Sequence, residues 1–224
     1  VCCGDDPHLA SLVPGMTRRV TTYGLERDVD LTAGDVHLEP MAVSATVRRR
    51  ARRSDDPSAS HVTLGRLDLR VPGRHNLLNA LAAVVVGLEV GLPFERIAGG
   101  LREFRGAERR FDVRGEPGGV LVVDDYGHHP TELAAVMAAA RTLDRRILVA
   151  FQPHRYSRTA ALLDAFGPSL AGASHIVLTE VYGAGEDPIA GASADALAAR
   201  MRESLSVPID VVHRLDDVAA ALAR

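Results

Sequence analysis

GVLVVDDYGHHPTELAAVMAAARTLDRRILVAFQPHRYSR, residues 119–158, reads as strand, polar loop, helix, strand and polar loop. The run 120–123 is continuously apolar and β-branched, which predicts a strand buried on both faces of a parallel sheet. Asp124 and Asp125 end it. Pro130 suits the first position of a helix, with Glu132 in the first turn and Leu133, Val136, Met137 and Ala140 at helical spacing, so a helix is expected over 130–143. Residues 147–151 form the next strand. In an open α/β sheet the loops leaving the carboxyl ends of the strands line the ligand crevice. DDYGHHP and QPHRYSR should therefore face one space and gather His128, His129, His154, Arg155 and Arg158.

Outward from that stretch the same alternation continues to the end of the chain: helix 158–170, strand 175–178, helix 193–205, strand 209–212 and helix 216–223. Such a pattern predicts an α/β fold with a Rossmann-like parallel sheet. Towards the amino end the pattern differs. Residues 1–71 show partial period-two alternation broken by Gly, Pro and Asp, with one short helix near 8–13, and read as β-rich. A long helix follows over 73–91, with Leu77, Leu81, Val84 and Leu88 on one stripe and Asn76 and Asn79 on another face, and a second helix over 93–104. FRGAERRFDVRGEPGG reads as a charged, glycine-containing connection, which sets the expected domains at 1–105 and 106–224.

The chain has 224 residues, 46% of them apolar, and a net charge of −3, the composition of an ordinary globular protein with ample core. No apolar run approaches the ~20 residues of a membrane span, and the amino end lacks a signal-peptide pattern, so the expected location is the cytoplasm. Cys2 and Cys3 are adjacent, which suggests neither a disulfide framework nor a zinc site. All 26 basic residues are arginine. A phosphate-binding loop of the form GxxxxGK[ST] needs a lysine, so none lies within this sequence. Either another segment holds the phosphates of any nucleotide or this chain is part of something longer, and the strand-like start VCCGDD favours the second. The basic run 48–53 with the adjoining SDDPSAS reads as a solvated hairpin tip rather than a nucleic-acid patch, because it has no interleaved aromatics.

The chemistry legible in the residues is of a definite type. Arg155 and Arg158 carry planar, permanently charged forks suited to a carboxylate or phosphate, so an anionic substrate is implied. His128 and His129 can act as acid and base, ligate a metal or donate hydrogen bonds, but neighbours on a loop diverge, so shared chelation is awkward. Asp125 at a strand's carboxyl end suits a ribose hydroxyl, or serves as a turn aspartate. Asn76 and Asn79 either bind a ligand or cap their helix and tie it to neighbouring loops. YGAGEDP, around Tyr182, has no phosphate-binding spacing and reads as a loop at the rim of the crevice.

Four blocks, GRHNLLNALAA at 73–83, GAERRFD at 106–112, DDYGHHPTE at 124–132 and FQPHRYSRT at 151–159, occur in the order found in the Mur ligases of peptidoglycan synthesis, and from Gly73 onward the chain resembles that family. The resemblance implies that residues 1–105 are the last part of a central ATP-binding domain without its P-loop half, and 106–224 the whole Rossmann-like ligase domain. It places His75, Asn76 and Asn79 at the adenine, Arg110 and Asp125 at the phosphate and ribose side, and Tyr126, His128, Arg155 and Arg158 at the amino acid and the sugar-linked carboxylate. Arg110, His128 and Arg158 are the residues it implies for catalysis.

The implied reaction is ATP-dependent joining of L-alanine to UDP-N-acetylmuramate through an acyl phosphate. Magnesium would be held by segments that this sequence lacks, and the chain alone is expected to be inactive. No nucleic-acid or membrane partner is implied, and the oligomeric state stays open. Two alternatives remain: a recycling ligase that attaches a tripeptide to the same UDP-sugar, against which Tyr126, Gly127 and Tyr156 argue, and a non-catalytic nucleotide or amino-acid binding module.

Overall fold

In a computed structural model of the chain, residues 1–51 and 60–223 are described, and they form two compact units, 1–111 and 112–224. Of the expected hairpin tip, the basic run 48–53 with the adjoining 54–60, residues 52–59 lie outside the described residues.

The first unit is built on a five-stranded mixed sheet. Its strands are β1 (Cys2–Cys3), β2 (Thr22–Gly24), β3 (Leu31–Glu39), β4 (Ala42–Arg50) and β5 (His61–Leu69), in spatial order one to five. β1, β2 and β3 pair in parallel; β3, β4 and β5 pair antiparallel. Alternation along β4 puts Val43, Ala45 and Val47 on the core face, as period two requires of a sheet with one covered side. The cover is α2 (Arg74–Glu89) and α3 (Phe94–Glu103), which follow a short first helix, α1 (Pro7–Leu12). Leu77, Leu81 and Val84 on the expected stripe of α2 are fully buried and join Leu67 and Leu69 of β5 in one cluster. Gly65 is needed at its place in β5: its φ is +151°, and a Cβ there would come within 2.8 Å of the Phe94 ring. The basic run has local partners where it is described, Arg48 with Asp35 and Arg50 with Asp28, each at 2.9 Å.

The second unit starts with an antiparallel pair, β6 (Asp112–Gly115) and β7 (Val122–Asp124). α4 (Pro130–Arg141) leads to β8 (Leu148–Phe151). Two short helices, α5 (Tyr156–Ala161) and α6 (Leu163–Ser169), precede β9 (His175–Thr179), and α7 (Ala194–Arg202), β10 (Ile209–Val212) and α8 (Val218–Leu222) complete the chain. β8, β9 and β10 make a three-stranded parallel sheet with β9 in the middle. β9 is the most deeply covered strand, with Ile176, Val177 and Leu178 fully buried, and Phe166, Leu170, Leu197 and Met201 from the helices fill the same cluster as Ile176 and Leu178.

Two expectations are corrected here. The 120–123 run is not a buried strand of the parallel sheet: β7 begins at Val122, pairs with β6 only, and Val120 and Val122 are exposed. A partner strand lies a few residues upstream across a Pro-Gly-Gly turn, so local pairing closes a short loop, and an apolar run by itself does not distinguish an edge hairpin from a buried strand. The single helix expected over 158–170 is two, because Leu162 leaves helical geometry (φ −118°, ψ 18°) and the axis restarts at Leu163. Pro168 sits in the second of them without breaking it.

Candidate functional site

Three loops leave the carboxyl ends of β7, β8 and β9, and their side chains meet. The rings of Tyr126 and His128 from the first lie 5.2 Å apart, edge to face. His128 lies 5.4 Å from His154 of the second loop, and His154 lies 5.4 Å from Tyr182 of the third. Backbone bonds fasten the second and third loops together: Arg155 N–H donates to the Tyr182 carbonyl and Tyr182 N–H to the Pro153 carbonyl, both at 2.8 Å.

The first loop is shaped by local bonds. The Asp125 carboxylate accepts the Gly127 N–H at 2.6 Å, which makes it the turn residue that closes the loop. His129 is the N-cap of α4, its ring nitrogen accepting the Thr131 N–H at 3.2 Å, while Glu132 reaches back to the N–H groups of His128 and His129 at 3.0 and 3.2 Å. This removes His129 from the crevice and leaves His128 in it. A carbonyl only accepts, so His128 Nδ1, 2.8 Å from the Tyr126 carbonyl, is the donor of that bond.

After the second loop, in α5, Arg158 sets its fork beside His154, with one guanidinium nitrogen 3.2 Å from His154 Nδ1 and 3.3 Å from the His154 carbonyl. The guanidinium donates, so His154 Nδ1 is the acceptor and the ring is held neutral. Burial pushes the His154 pKa below its usual value, and the positive charge of Arg158, the neighbouring His128 and Arg155 push the same way. Arg155 has φ +70° and ψ 132°, a conformation that costs a non-glycine residue of order 1–3 kcal/mol and persists only where surrounding bonds impose it. Its guanidinium lies 3.5 Å from Glu186 of the third loop. No carboxylate among the described residues pairs with Arg158, so its charge is the one available to an anion entering the cluster.

Of the residues expected at the site, Asp125, Tyr126, His128 and Arg155 lie on these loops and Arg158 in α5, all in the second unit. His75, Asn76, Asn79 and Arg110 belong to the first. On α2, the Asn76 amide donates to the Pro72 carbonyl at 2.7 Å, and Asn79 is exposed and joined to Asn76 only weakly, at 3.5 Å. His75 is half-buried at the start of the same helix, and Arg110 is exposed in the loop before β6. Among the described residues no group of three or more His, Cys, Asp or Glu could hold a metal ion, and no helix is long and apolar enough to cross a membrane. YGAGEDP is a loop after β9, as expected, and it brings Tyr182 against His154 and Glu186 against Arg155. The rule that ligands gather at strand carboxyl ends, applied to the third strand as it was to the first two, would have found them.

With this geometry in view, the family described as Mur ligase, glutamate ligase domain, matches residues 109–224. UDP-N-acetylmuramate–L-alanine ligase from Oleidesulfovibrio alaskensis is 45% identical over 99% of this chain and 47% of its own length, and the enzyme of the same name from Nitratidesulfovibrio vulgaris is 44% identical with the same coverage. The chain thus spans about half the length of these curated relatives. Among solved structures, UDP-N-acetylmuramate–alanine ligase from Thermotoga maritima superposes with a TM-score of 0.68 at 26% identity, covering 89% of this chain and 41% of that one. MurF from Acinetobacter baumannii, at 19% identity and a TM-score of 0.70, covers 99% of this chain and 44% of its own and shares the fold.

Proposed function

This chain belongs to the Mur ligase family, and on that premise we propose that it is the carboxyl-terminal part of an ATP-dependent ligase that joins L-alanine to the lactyl carboxylate of UDP-N-acetylmuramate. In this reading residues 1–105 end the central ATP-binding domain and 106–224 form the ligase domain. The observation that carries it is the Arg158 fork, unpaired by any described carboxylate and held beside His154, whose ring lies 5.4 Å from that of His128.

The residues present fit the adenine end of a nucleotide: the exposed Asn79 amide offers a donor and an acceptor to the edge of a base, with Asn76 and His75 beside it on α2. The nucleotide, when bound with magnesium, supplies the phosphoryl group that activates the acceptor carboxylate. Arg158 holds the alanine carboxylate bidentately and so fixes where the amine points. His128 Nε2 takes a proton from that amine, which must be neutral to attack. Tyr126 and Arg155 flank Arg158 within the second unit, and Arg110, within the first, offers positive charge to a phosphate.

The test joins this chain to an upstream segment carrying a P-loop and measures phosphate release from ATP with UDP-N-acetylmuramate present. Release that depends on L-alanine is expected. Release that depends on a tripeptide instead would assign the recycling reaction, and none under any condition would leave a binding module. In the joined protein, Asn79→Ala should raise the ATP KM more than the L-alanine KM, since one lost hydrogen bond costs about 0.5–1.5 kcal/mol. An effect confined to L-alanine would remove Asn79 from the adenine.

A further inference from the structure

The loop after β9 holds a carboxylate, Glu186, that touches the start of α5. Glu186 Oε2 accepts the Ser157 N–H at 2.9 Å, and Glu186 Oε1 accepts the Ser157 hydroxyl at 2.7 Å and lies 3.5 Å from the Arg155 guanidinium. Ser157 stands two residues after Arg155 and one before Arg158, in the turn that presents both forks. Arg155, the N-cap of α5, contributes no side-chain cap of its own. Glu186 does from a distance in sequence what an N-cap side chain does locally, and an orphan N–H of the first turn is satisfied by it. The third loop is itself tightly folded. Glu186 N–H donates to the Gly183 carbonyl at 3.0 Å, and a Cβ on Gly183 would lie 2.9 Å from the Glu186 carbonyl oxygen and 3.0 Å from the Tyr156 ring. The carboxylate is therefore delivered by a rigid turn rather than by a free side chain. Its pKa is held below the ordinary value by the Ser157 backbone N–H first and the Ser157 hydroxyl second, with Arg155 acting the same way and desolvation opposing, so it stays ionised.

We infer that Glu186 is a positioning residue: by clamping Ser157 and pairing with Arg155 it maintains the strained turn at Arg155 and so aims Arg158 and His154 at the carboxylate of the incoming amino acid. The two arginines then have different duties. Arg155 is spent on Glu186, and Arg158 is left to read the ligand. The ligand named here rests on the function proposed above, whereas the clamp itself does not.

Two substitutions separate the clamp from the charge. In Glu186→Gln the side chain can still accept the Ser157 N–H and donate to the Ser157 hydroxyl, but it loses its charge. In Glu186→Ala both bonds go. Three readouts on the purified chain are compared by NMR: exchange of the Ser157 amide, the His154 imidazole shift, and the affinity for L-alanine from titration. Thermal unfolding confirms that each variant is folded at the temperature used. Glu186→Ala should speed Ser157 exchange by about tenfold or more, move the His154 resonance, and weaken L-alanine binding by about tenfold, with Glu186→Gln, which keeps the Ser157 bonds but loses the Arg155 pair, within about threefold of wild type in Ser157 exchange and between wild type and Glu186→Ala in affinity. Unchanged Ser157 exchange and an unmoved His154 resonance in a folded Glu186→Ala chain would overturn the inference. So would a lowered unfolding temperature with wild-type affinity, which would make Glu186 structural only. Absence of L-alanine binding in the wild-type chain would count against the proposed substrate, and the exchange and imidazole readouts would still decide the clamp.

Discussion

Arg158 and His154 show what a pair of side chains can do that neither does alone. The neutral imidazole offers one acceptor to the guanidinium, which orients the fork without cancelling its charge. A lysine at 158 would keep the charge and lose the planar pair of donors that a carboxylate meets edge-on. Arg158→Lys should therefore lower the specificity constant for L-alanine in the joined protein by at least about tenfold, equivalent to ~1.4 kcal/mol, and wild-type kinetics would remove Arg158 from the substrate.

His154 adds a pH dependence whose sign follows from its lowered pKa. In the unfolded chain the ring takes its proton near the ordinary value of about 6.5, and in the folded chain only at lower pH. Between those two values the unfolded state binds more protons, so His154 subtracts stability as pH falls through that window and subtracts nothing above it. An NMR titration should place the His154 midpoint below that of an exposed histidine, and Arg158→Ala should move it up. A midpoint unmoved by Arg158→Ala would remove Arg158 from the causes and leave burial, His128 and Arg155.

Among the elements, α4 is where a local sequence signal has a long-range consequence. His129 and Glu132 form a capping box, so the carboxylate that starts the helix also holds the two N–H groups of the HHP loop. Glu132→Ala should cost about 1 kcal/mol of stability, in the range for a lost cap, and should free the His128 and His129 amides to exchange while the middle of α4 stays protected. Protection lost evenly along the helix would mean that Glu132 supports packing rather than the loop. α5 behaves differently: its start is held by Glu186, which is 29 residues from Ser157 and outside any window in which caps are sought.

For the whole molecule, the cluster around β9 draws only on residues from Leu133 to Val211, all within the second unit. A segment that buries its own core can fold by itself. Residues 112–224 expressed alone should unfold cooperatively, and Phe166→Ala, at a site only 1% exposed, should destabilise that fragment by about 3–5 kcal/mol. Non-cooperative melting of the wild-type fragment would show that its core needs more of the chain. The 224-residue chain, which carries no lysine for a phosphate loop, should release no phosphate from ATP with UDP-N-acetylmuramate and L-alanine. Turnover by the purified chain would contradict that.

The sequence alone determined the repeating strand–helix order of the carboxyl-terminal half, the stripe of α2 and the loop residues at strand carboxyl ends. Each is written in a local period or a turn residue: apolar spacing of 3.6 or 2, Pro130 at a helix start, Asp125 closing a turn onto Gly127. Tertiary structure alone decided that Val122 and Val123 of the 120–123 run enter a separate two-stranded hairpin, that His128 meets His154, and that Glu186 reaches Ser157 and Arg155. Those outcomes depend on which partner lies nearest in space. An apolar run has the same composition whichever strand it pairs with, and an arginine in an unfavourable backbone conformation becomes intelligible only beside the carboxylate and carbonyl that hold it there.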